Sequence, residues 1–257
     1  MKAIILAAGG GKRLDAIRGD YPKCLIDIGG LSLIERQIRA LRRIGVHDIT
    51  AVVGFGGDYV RERCGPDVNY IENARHSETN SLYSLWLARH ELSGGFIVLN
   101  ADVLFHTQML EDLVSSQYED ALLISYQSEP LLGDEEMKVK VRQGRVVDIS
   151  KEMSTDEADG ENVGIVKFGR SGASLITEQM DRLVAEGNLR AWAPRAFREF
   201  AAVRHLNAIS TRGYPWIEID FPEDYKRAVE EVLPEIRLTD TRSSDIQPLR
   251  DPAPLLS

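Results

Sequence analysis

The sequence places three glycines and two cations where they could cradle a phosphate. Leu6-Ala7-Ala8-Gly9-Gly10-Gly11-Lys12-Arg13 closes a short apolar run, and Pro22-Lys23 brings a second cation ten residues after Arg13. Glycines after a strand let the backbone approach a ligand and turn its N–H groups toward an anion. Arginine adds a planar fork for phosphate oxygens and lysine a compact point charge. A tight strand-to-loop turn would use the same glycines, and each cation could be an ordinary surface charge. Their common position around one loop favours a shared polyphosphate. The dinucleotide fingerprint G-x-G-x-x-G fails because position 14 is Leu. The Walker pattern fails because Gly11-Lys12 is followed by Arg13.

Acidic residues cluster at two further points. Asp102 follows the apolar stretch FIVLN, so it sits at the carboxyl end of an expected parallel strand, where open α/β sheets bind ligands. Capping the next helix is the competing role. Trp216-Ile217-Glu218-Ile219-Asp220 reads as a strand with Glu218 and Asp220 on one face. Two carboxylates on one face repel unless a cation lies beside them. Asp220 could instead cap a helix, since Pro222 and Glu223 follow, but Glu218 has no such role. Tyr126, Tyr214 and Trp216 stand near strand ends. They could flank an ammonium through cation–π contact, or simply pack in the core.

The elements that must position these groups alternate. Apolar or amphipathic runs at 3–7, 48–54, 68–71, 96–100 and 121–126 read as strands, separated by helical patterns at 32–44, 80–92 and 107–116. This predicts an α/β fold with a Rossmann-like, mostly parallel sheet and helices on both faces. From about 134 the pattern changes. MKVKVRQGRVVDIS alternates around Gln143-Gly144 as a hairpin, and Lys151 follows it, ahead of the acidic loop MSTDEADGE. A strand at 163–169, helices at 171–187 and 191–200, a strand at 215–219 and a helix at 222–233 complete the main domain, 1–237. Residues 127–170 form a small β subregion. Residues 238–257 lack periodicity and are expected to be a flexible tail, with an arm docking on another subunit as the alternative.

Composition narrows the function classes. The 257 residues carry 31 Lys and Arg against 40 Asp and Glu, a net charge of −9. That balance excludes a nucleic-acid polymer as main partner but not a single nucleotide in a local cationic pocket. Cys24 and Cys64 lack C-x-x-C spacing, so zinc and disulfides are not expected, and two reduced thiols fit a cytoplasmic location. No run approaches the roughly 20 apolar residues of a membrane helix, and MKAIILAAGGGKR does not read as a signal peptide.

The stretch LAAGGGKRL…YPKCLIDIGGLSLIERQIRALRRIGVHDITAVVGF resembles the N-terminus of nucleotidyltransferases that activate phosphorylated small molecules with a nucleoside triphosphate. The pattern G-x-G-x-R…P-K, a helix, then a strand ending V-x-G-F is long and specific, and the resemblance covers about 2–233. NARHSETNSLYSLWLA and GENVGIVKF are similar to cytidylyltransferases acting on phosphocholine and aminoalkyl phosphonates, where sugar-phosphate members usually carry G-T-A near Asn80.

The resemblance implies a catalytic pair, Arg13 and Lys23. It implies CTP held by Leu6, Ala8, Gly9, Gly11, Lys23, Asn80, Ser81 and Asp102, and Mg²⁺ held by Asp102, Glu218 and Asp220. The usual glycine before the metal-binding aspartate is Ala101 here. Lys151 would bind the acceptor phosphate, with Glu161 bordering its pocket and Tyr126 and Trp216 as aromatic candidates there. The implied reaction joins CTP to a small phospho- or phosphono-acceptor, phosphocholine or 2-aminoethylphosphonate in type, and releases pyrophosphate. A sugar-1-phosphate or inositol-1-phosphate nucleotidyltransferase is the first alternative. A non-catalytic nucleotide sensor is the second, and a glycosyltransferase fits poorly because Asn100-Ala101-Asp102 is half a D-x-D motif. No motif fixes the acceptor or the oligomeric state.

Overall fold

The computed structural model describes residues 1–126, 133 and 135–244. Its strands are β1 (Lys2–Ala7), β2 (Ile49–Val53), β3 (Asn69–Glu72), β4 (Phe96–Asn100), β5 (Val103–Phe105), β6 (Ala121–Tyr126), β7 (Lys138–Arg142), β8 (Arg145–Ser150), β9 (Gly160–Phe168), β10 (Asn207–Ser210) and β11 (Trp216–Glu218). The helices are α1 (Asp15–Arg18), α2 (Leu33–Arg43), α3 (Gly57–Cys64), α4 (Ser81–Leu87), α5 (Thr107–Ser115), α6 (Arg170–Ala185), α7 (Pro194–Val203), α8 (Pro222–Arg227) and α9 (Leu233–Ser244).

One sheet runs β3-β2-β1-β4-β9-β6-β10-β8-β7, with β11-β5 as a separate pair. The expected parallel pairing holds for β3, β2, β1 and β4, and again between β6 and β10. Strand β9 breaks the pattern by running antiparallel to both β4 and β6. Only residues 151–159 separate β9 from the β7–β8 hairpin, and β7 also pairs with β9. The hairpin turns on Gln143 at φ 52° and Gly144 at φ 74°, the twin positive angles of a tight two-residue turn.

Strand periodicity divides the core. Ala3, Ile5 and Ala7 pack on one face of the sheet with Ile34, Ile38 and Leu41 of α2 and Met109 and Leu113 of α5. Ile4 faces the other side, against Leu82 and Leu85 of α4, Ile176 of α6 and Phe197 of α7. Helices therefore cover both faces. Helix α2 opens on a capping box: Ser32 Oγ accepts from the Glu35 N–H, and Glu35 Oε2 accepts from the Ser32 N–H at 2.9 Å.

A third cluster joins Leu14, Ile26 and Ile28 to Ile217, Ile219, Leu233 and Ile236. It docks β11 and the C-terminal helices beside the glycine loop. Here the domain extends past its expected end. After α8 a π-helical turn, Ala228–Val232, leads into α9. Pro234 lacks an N–H, so the regular α ladder cannot run through it, and the wider turn absorbs the break. Buried Leu233 and Ile236 then hold α9 in place. Residues 238–244, expected as the start of the tail, are thus helical, while 245–257 lie outside the described residues. Residues 127–132 and 134 of the expected β subregion also lie outside them. No described helix is long and apolar enough to cross a membrane.

Candidate active site

The carboxyl ends of β1 and β4 open into one cleft, floored by Leu6, Ala7, Ala8 and Gly9 from the first loop and by Asn100, Ala101 and Asp102 from the second. Lys23 enters from below. Pro22 is extended, and the turn Lys23–Leu25 that follows leaves the lysine 9 % exposed. Its Nζ donates to Asp102 Oδ2 at 2.8 Å and to Asp220 Oδ1. Burial pulls the ammonium pKa down, but the Asp102 and Asp220 carboxylates more than reverse this, so Lys23 is held above its ordinary value.

Asp102, Glu218 and Asp220 each present one carboxylate oxygen, and these atoms lie within 4.8 Å of one another. Glu218 and Asp220 reach Asp102 because β11 pairs antiparallel with β5, with Glu218 opposite Val103. Asp102 Oδ1, the oxygen that Lys23 does not contact, is buried with no hydrogen-bond partner. Burial first, then the Asp102 and Asp220 charges, push the Glu218 carboxyl well above its usual range. Lys23 contacts Asp102 and Asp220, while the raised Glu218 carboxyl reflects negative charge that the ammonium leaves uncompensated, so the cluster can take a further cation. Asp220 does not cap α8. Asp224 does so, accepting from the Asp220 and Phe221 N–H groups at 3.0 and 2.8 Å.

On the facing wall, Asn80 Oδ1 accepts from the Ser81 N–H, and Ser81 Oγ accepts from the Ala193 N–H, both at 2.8 Å. Ser81 thereby ties the start of α4 to the segment carrying Trp192. Buried Asn73 stiffens the same wall, donating to Thr79 Oγ1 at 3.0 Å and Ser84 Oγ at 3.1 Å. Lys151 lies across the cleft, with Nζ 5.0 Å from the Trp192 ring centroid and 3.6 Å from Glu135.

The sequence-derived candidates separate into two groups. Leu6, Ala8, Gly9, Lys23, Asn80, Ser81, Asp102, Lys151, Glu218 and Asp220 line the cleft together. Arg13, Gly11, Tyr126, Glu161 and Trp216 are not among its described lining residues. Arg13 lies at the rim, 3.5 Å from Glu135, with its guanidinium 4.7 Å from the Phe221 ring centroid. Glu135 thus touches both Arg13 and Lys151. Gly11 stands behind Lys23, where its carbonyl accepts from Arg18 Nε at 3.2 Å. Tyr126 is exposed at the end of β6 opposite Gly160. Glu161 is half-buried beside Glu136, Lys151 and Lys138, and burial then Glu136 push its carboxyl up to about 7. Trp216 packs on the core beside Phe105, so the aromatic wall of the cleft is Trp192. Sequence reasoning missed Trp192, Pro194 and Met137, which no motif marks, and Ser84 and Cys24, which lie in recognised stretches but were not singled out there.

The chain is similar to several characterised proteins. It is 24 % identical over 254 residues to the CTP:phosphoglutamine cytidylyltransferase of Campylobacter jejuni, covering 90 % of this chain and all of that one. It is 29 % identical over 231 residues to the bifunctional IPC transferase and DIPP synthase of Aquifex aeolicus, covering 88 % of this chain and half of that protein. Over 121 residues, 46 % of this chain and 52 % of the other, it is 37 % identical to the choline-phosphate cytidylyltransferase of Streptococcus pneumoniae. Among solved structures, the CTP:phosphocholine cytidylyltransferase of Streptococcus pneumoniae superposes with a TM-score of 0.74 at 26 % identity, over 90 % of this chain and 98 % of that one. The inositol-1-phosphate CTP transferase of T. maritima shares the fold, with a TM-score of 0.76 at 24 % identity over 92 % and 96 % of the two chains. A model of the MobA-like NTP transferase domain matches residues 3–211, a span that carries the glycine loop, Lys23 and Asp102, and the chain belongs to that family.

Proposed function

We propose that this enzyme transfers a cytidylyl group from CTP to an oxygen of a small phosphate- or phosphonate-bearing acceptor. An acceptor oxygen forms a bond to the α-phosphorus, the bond to the β-phosphate oxygen breaks, and pyrophosphate leaves. The nucleophile is already an anion, so no general base is needed, and catalysis rests on positioning and charge neutralisation. The cluster of buried Lys23 with Asp102, Glu218 and Asp220 at the mouth of the glycine loop carries this reading.

The donor set suits Mg²⁺. It is all hard oxygen, and the orphaned Asp102 Oδ1 has no other use in the fold. Asp102, Glu218 and Asp220 would hold the ion, which when bound supplies neutralisation of phosphate charge. Lys23 sits where it can stabilise the triphosphate, and Ala8 and Gly9 line the same space. Asn80 keeps its Nδ2 donors and Ser81 its hydroxyl proton for base or ribose, because only their oxygens are engaged as acceptors in the fold. Lys151 offsets repulsion between two anionic substrates. It binds the acceptor anion once Glu135 gives way.

The names of the relatives support CTP as donor and differ in the acceptor, which ranges over choline phosphate, phosphoglutamine and inositol phosphate. The test is a pyrophosphate-release screen of the four ribonucleoside triphosphates against phosphocholine, 2-aminoethylphosphonate, inositol 1-phosphate and hexose 1-phosphates. Release with CTP and one of the first two is expected. Release only with hexose 1-phosphates would move the protein to the sugar branch. Nucleotide binding without release from any pair would favour a sensor.

A further inference from the structure

Gln37 is a polar residue in the middle of the apolar face of α2, and it is 1 % exposed. Its Nε2 donates to two backbone carbonyls, Asn100 O at 2.8 Å and Val103 O at 2.9 Å. These carbonyls flank the Ala101-Asp102 turn. The amide orientation is forced, since a flip would set Oε1 against two other acceptors. Oε1 itself is buried with no partner. An apolar residue of the same shape would escape that cost, so packing alone does not account for a glutamine here.

Elsewhere, among the described residues, Lys23 holds the Asp102 side chain and main-chain bonds hold the backbone of the turn. The Ala101 N–H donates to Leu6 O at 3.2 Å, and the Ile219 N–H donates to Asp102 O at 3.1 Å. Gln37 is the side chain that closes the remaining side. From this we infer that Gln37 is a positioning residue for Asp102: by gripping the carbonyls before and after the turn, it fixes the height at which the carboxylate meets Lys23, Glu218 and Asp220. The inference rests on the reading of Asp102 as a metal ligand. Outer partners that orient metal ligands typically change metal affinity 10- to 100-fold when removed.

The test compares the affinity of the full-length protein for Mn²⁺, read by EPR in the presence of CTP, in Gln37→Met, Asp102→Asn and Ile38→Ala. Ile38 is a buried neighbour on α2 with no bond to the turn, so Ile38→Ala reports destabilisation alone. Gln37→Met is expected to weaken Mn²⁺ about tenfold and to raise amide hydrogen exchange at 101–103, while Ile38→Ala lowers the melting temperature and leaves both readings at wild type. Wild-type affinity and exchange in Gln37→Met would overturn the inference. If Gln37→Met does not fold, Gln37→Asn serves, since its shorter amide reaches at most one carbonyl. A smaller loss of affinity is expected there, and wild-type affinity would again count against the inference. Unchanged affinity in Asp102→Asn would instead remove the metal reading itself, whatever Gln37 does.

Discussion

Gly11 packs directly against the aliphatic stem of Lys23: a Cβ at position 11 would stand 2.7 Å from Lys23 Cβ. The residue also sits at φ 62°, a left-handed angle that glycine adopts without steric cost. Gly11→Ala is therefore expected to lose about 1–2 kcal/mol of stability and, by shifting Lys23, more than tenfold in kcat. Gly10→Ala is the control, because its Cβ would meet Phe55 at an ordinary 3.5 Å. Thermal melts and initial rates on the two variants check this. A Gly11→Ala enzyme with wild-type kcat would show that the loop tolerates a displaced lysine.

Lys23→Ala should reduce kcat at least a hundredfold. A charge-assisted contact that tightens in the transition state is worth about 3–4 kcal/mol. The variant should also melt lower than wild type at pH 8, since Asp102, Glu218 and Asp220 then share a site without their ammonium. That deficit should shrink as pH falls and the Glu218 carboxyl, held well above its usual range, takes up a proton. A deficit independent of pH would mean that lost packing, rather than charge, sets the cost.

Asp220→Asn should leave the melting temperature nearly unchanged, because Asp224 performs the helix cap. The Mg²⁺ concentration for half-maximal rate should rise strongly and kcat should fall. Glu218→Gln should shift the magnesium requirement and kcat in the same direction, with a melting temperature no lower than wild type because the buried carboxyl is already held well above its usual range. A magnesium titration of initial rate on both variants decides the matter, and unshifted curves in both would leave Asp102 as the sole protein ligand.

Glu161 gives a pH dependence of stability with a definite sign. Its carboxyl is raised in the folded protein, from an ordinary 4.5 to about 7, so the folded state holds a proton that the unfolded chain has released. Stability from this group falls as pH rises through that window and is flat above it. Glu161→Gln should raise the melting temperature at pH 8, by about 1–2 kcal/mol in stability terms, and change little at pH 4.5. Melts at the two pH values test this, with equal shifts at both counting against a titrating carboxyl.

Much of the fold was legible because strand and helix periodicities are local. Residues 96–100 and 121–126 read as strands from their apolar runs alone, and the Gln143-Gly144 hairpin from its turn residues. The direction of β9 was not, because an apolar run looks the same parallel or antiparallel. Strand β10, NAIS, is half-buried throughout and offers no alternation to detect. Within the site, residues on strand ends and the first loop could be named in advance. Trp192 could not, because its place depends on the bond from Ala193 to Ser81 across 112 positions of sequence. Arg13 reads as a cleft residue from its spacing and from the G-x-G-x-R pattern of the family it resembles, but neither says which way a side chain on a loop turns.

Lys23 and Asp220 are joined in one cluster although 197 positions separate them. That span has a consequence during translation. Lys23 and Asp102 leave the ribosome while most of the sheet is still unmade, and they can pair early. Strand β11, which brings Glu218 and Asp220, is made long after them and docks on β5, on the segment around Leu14, Ile26 and Ile28, and on the helices that follow it. Domains gain structure from the N-terminus as they are made, and long-range pairings close last. A nascent chain arrested before β11 therefore carries a glycine loop and a lysine but an incomplete acidic cluster, which is completed in one step as β11 docks.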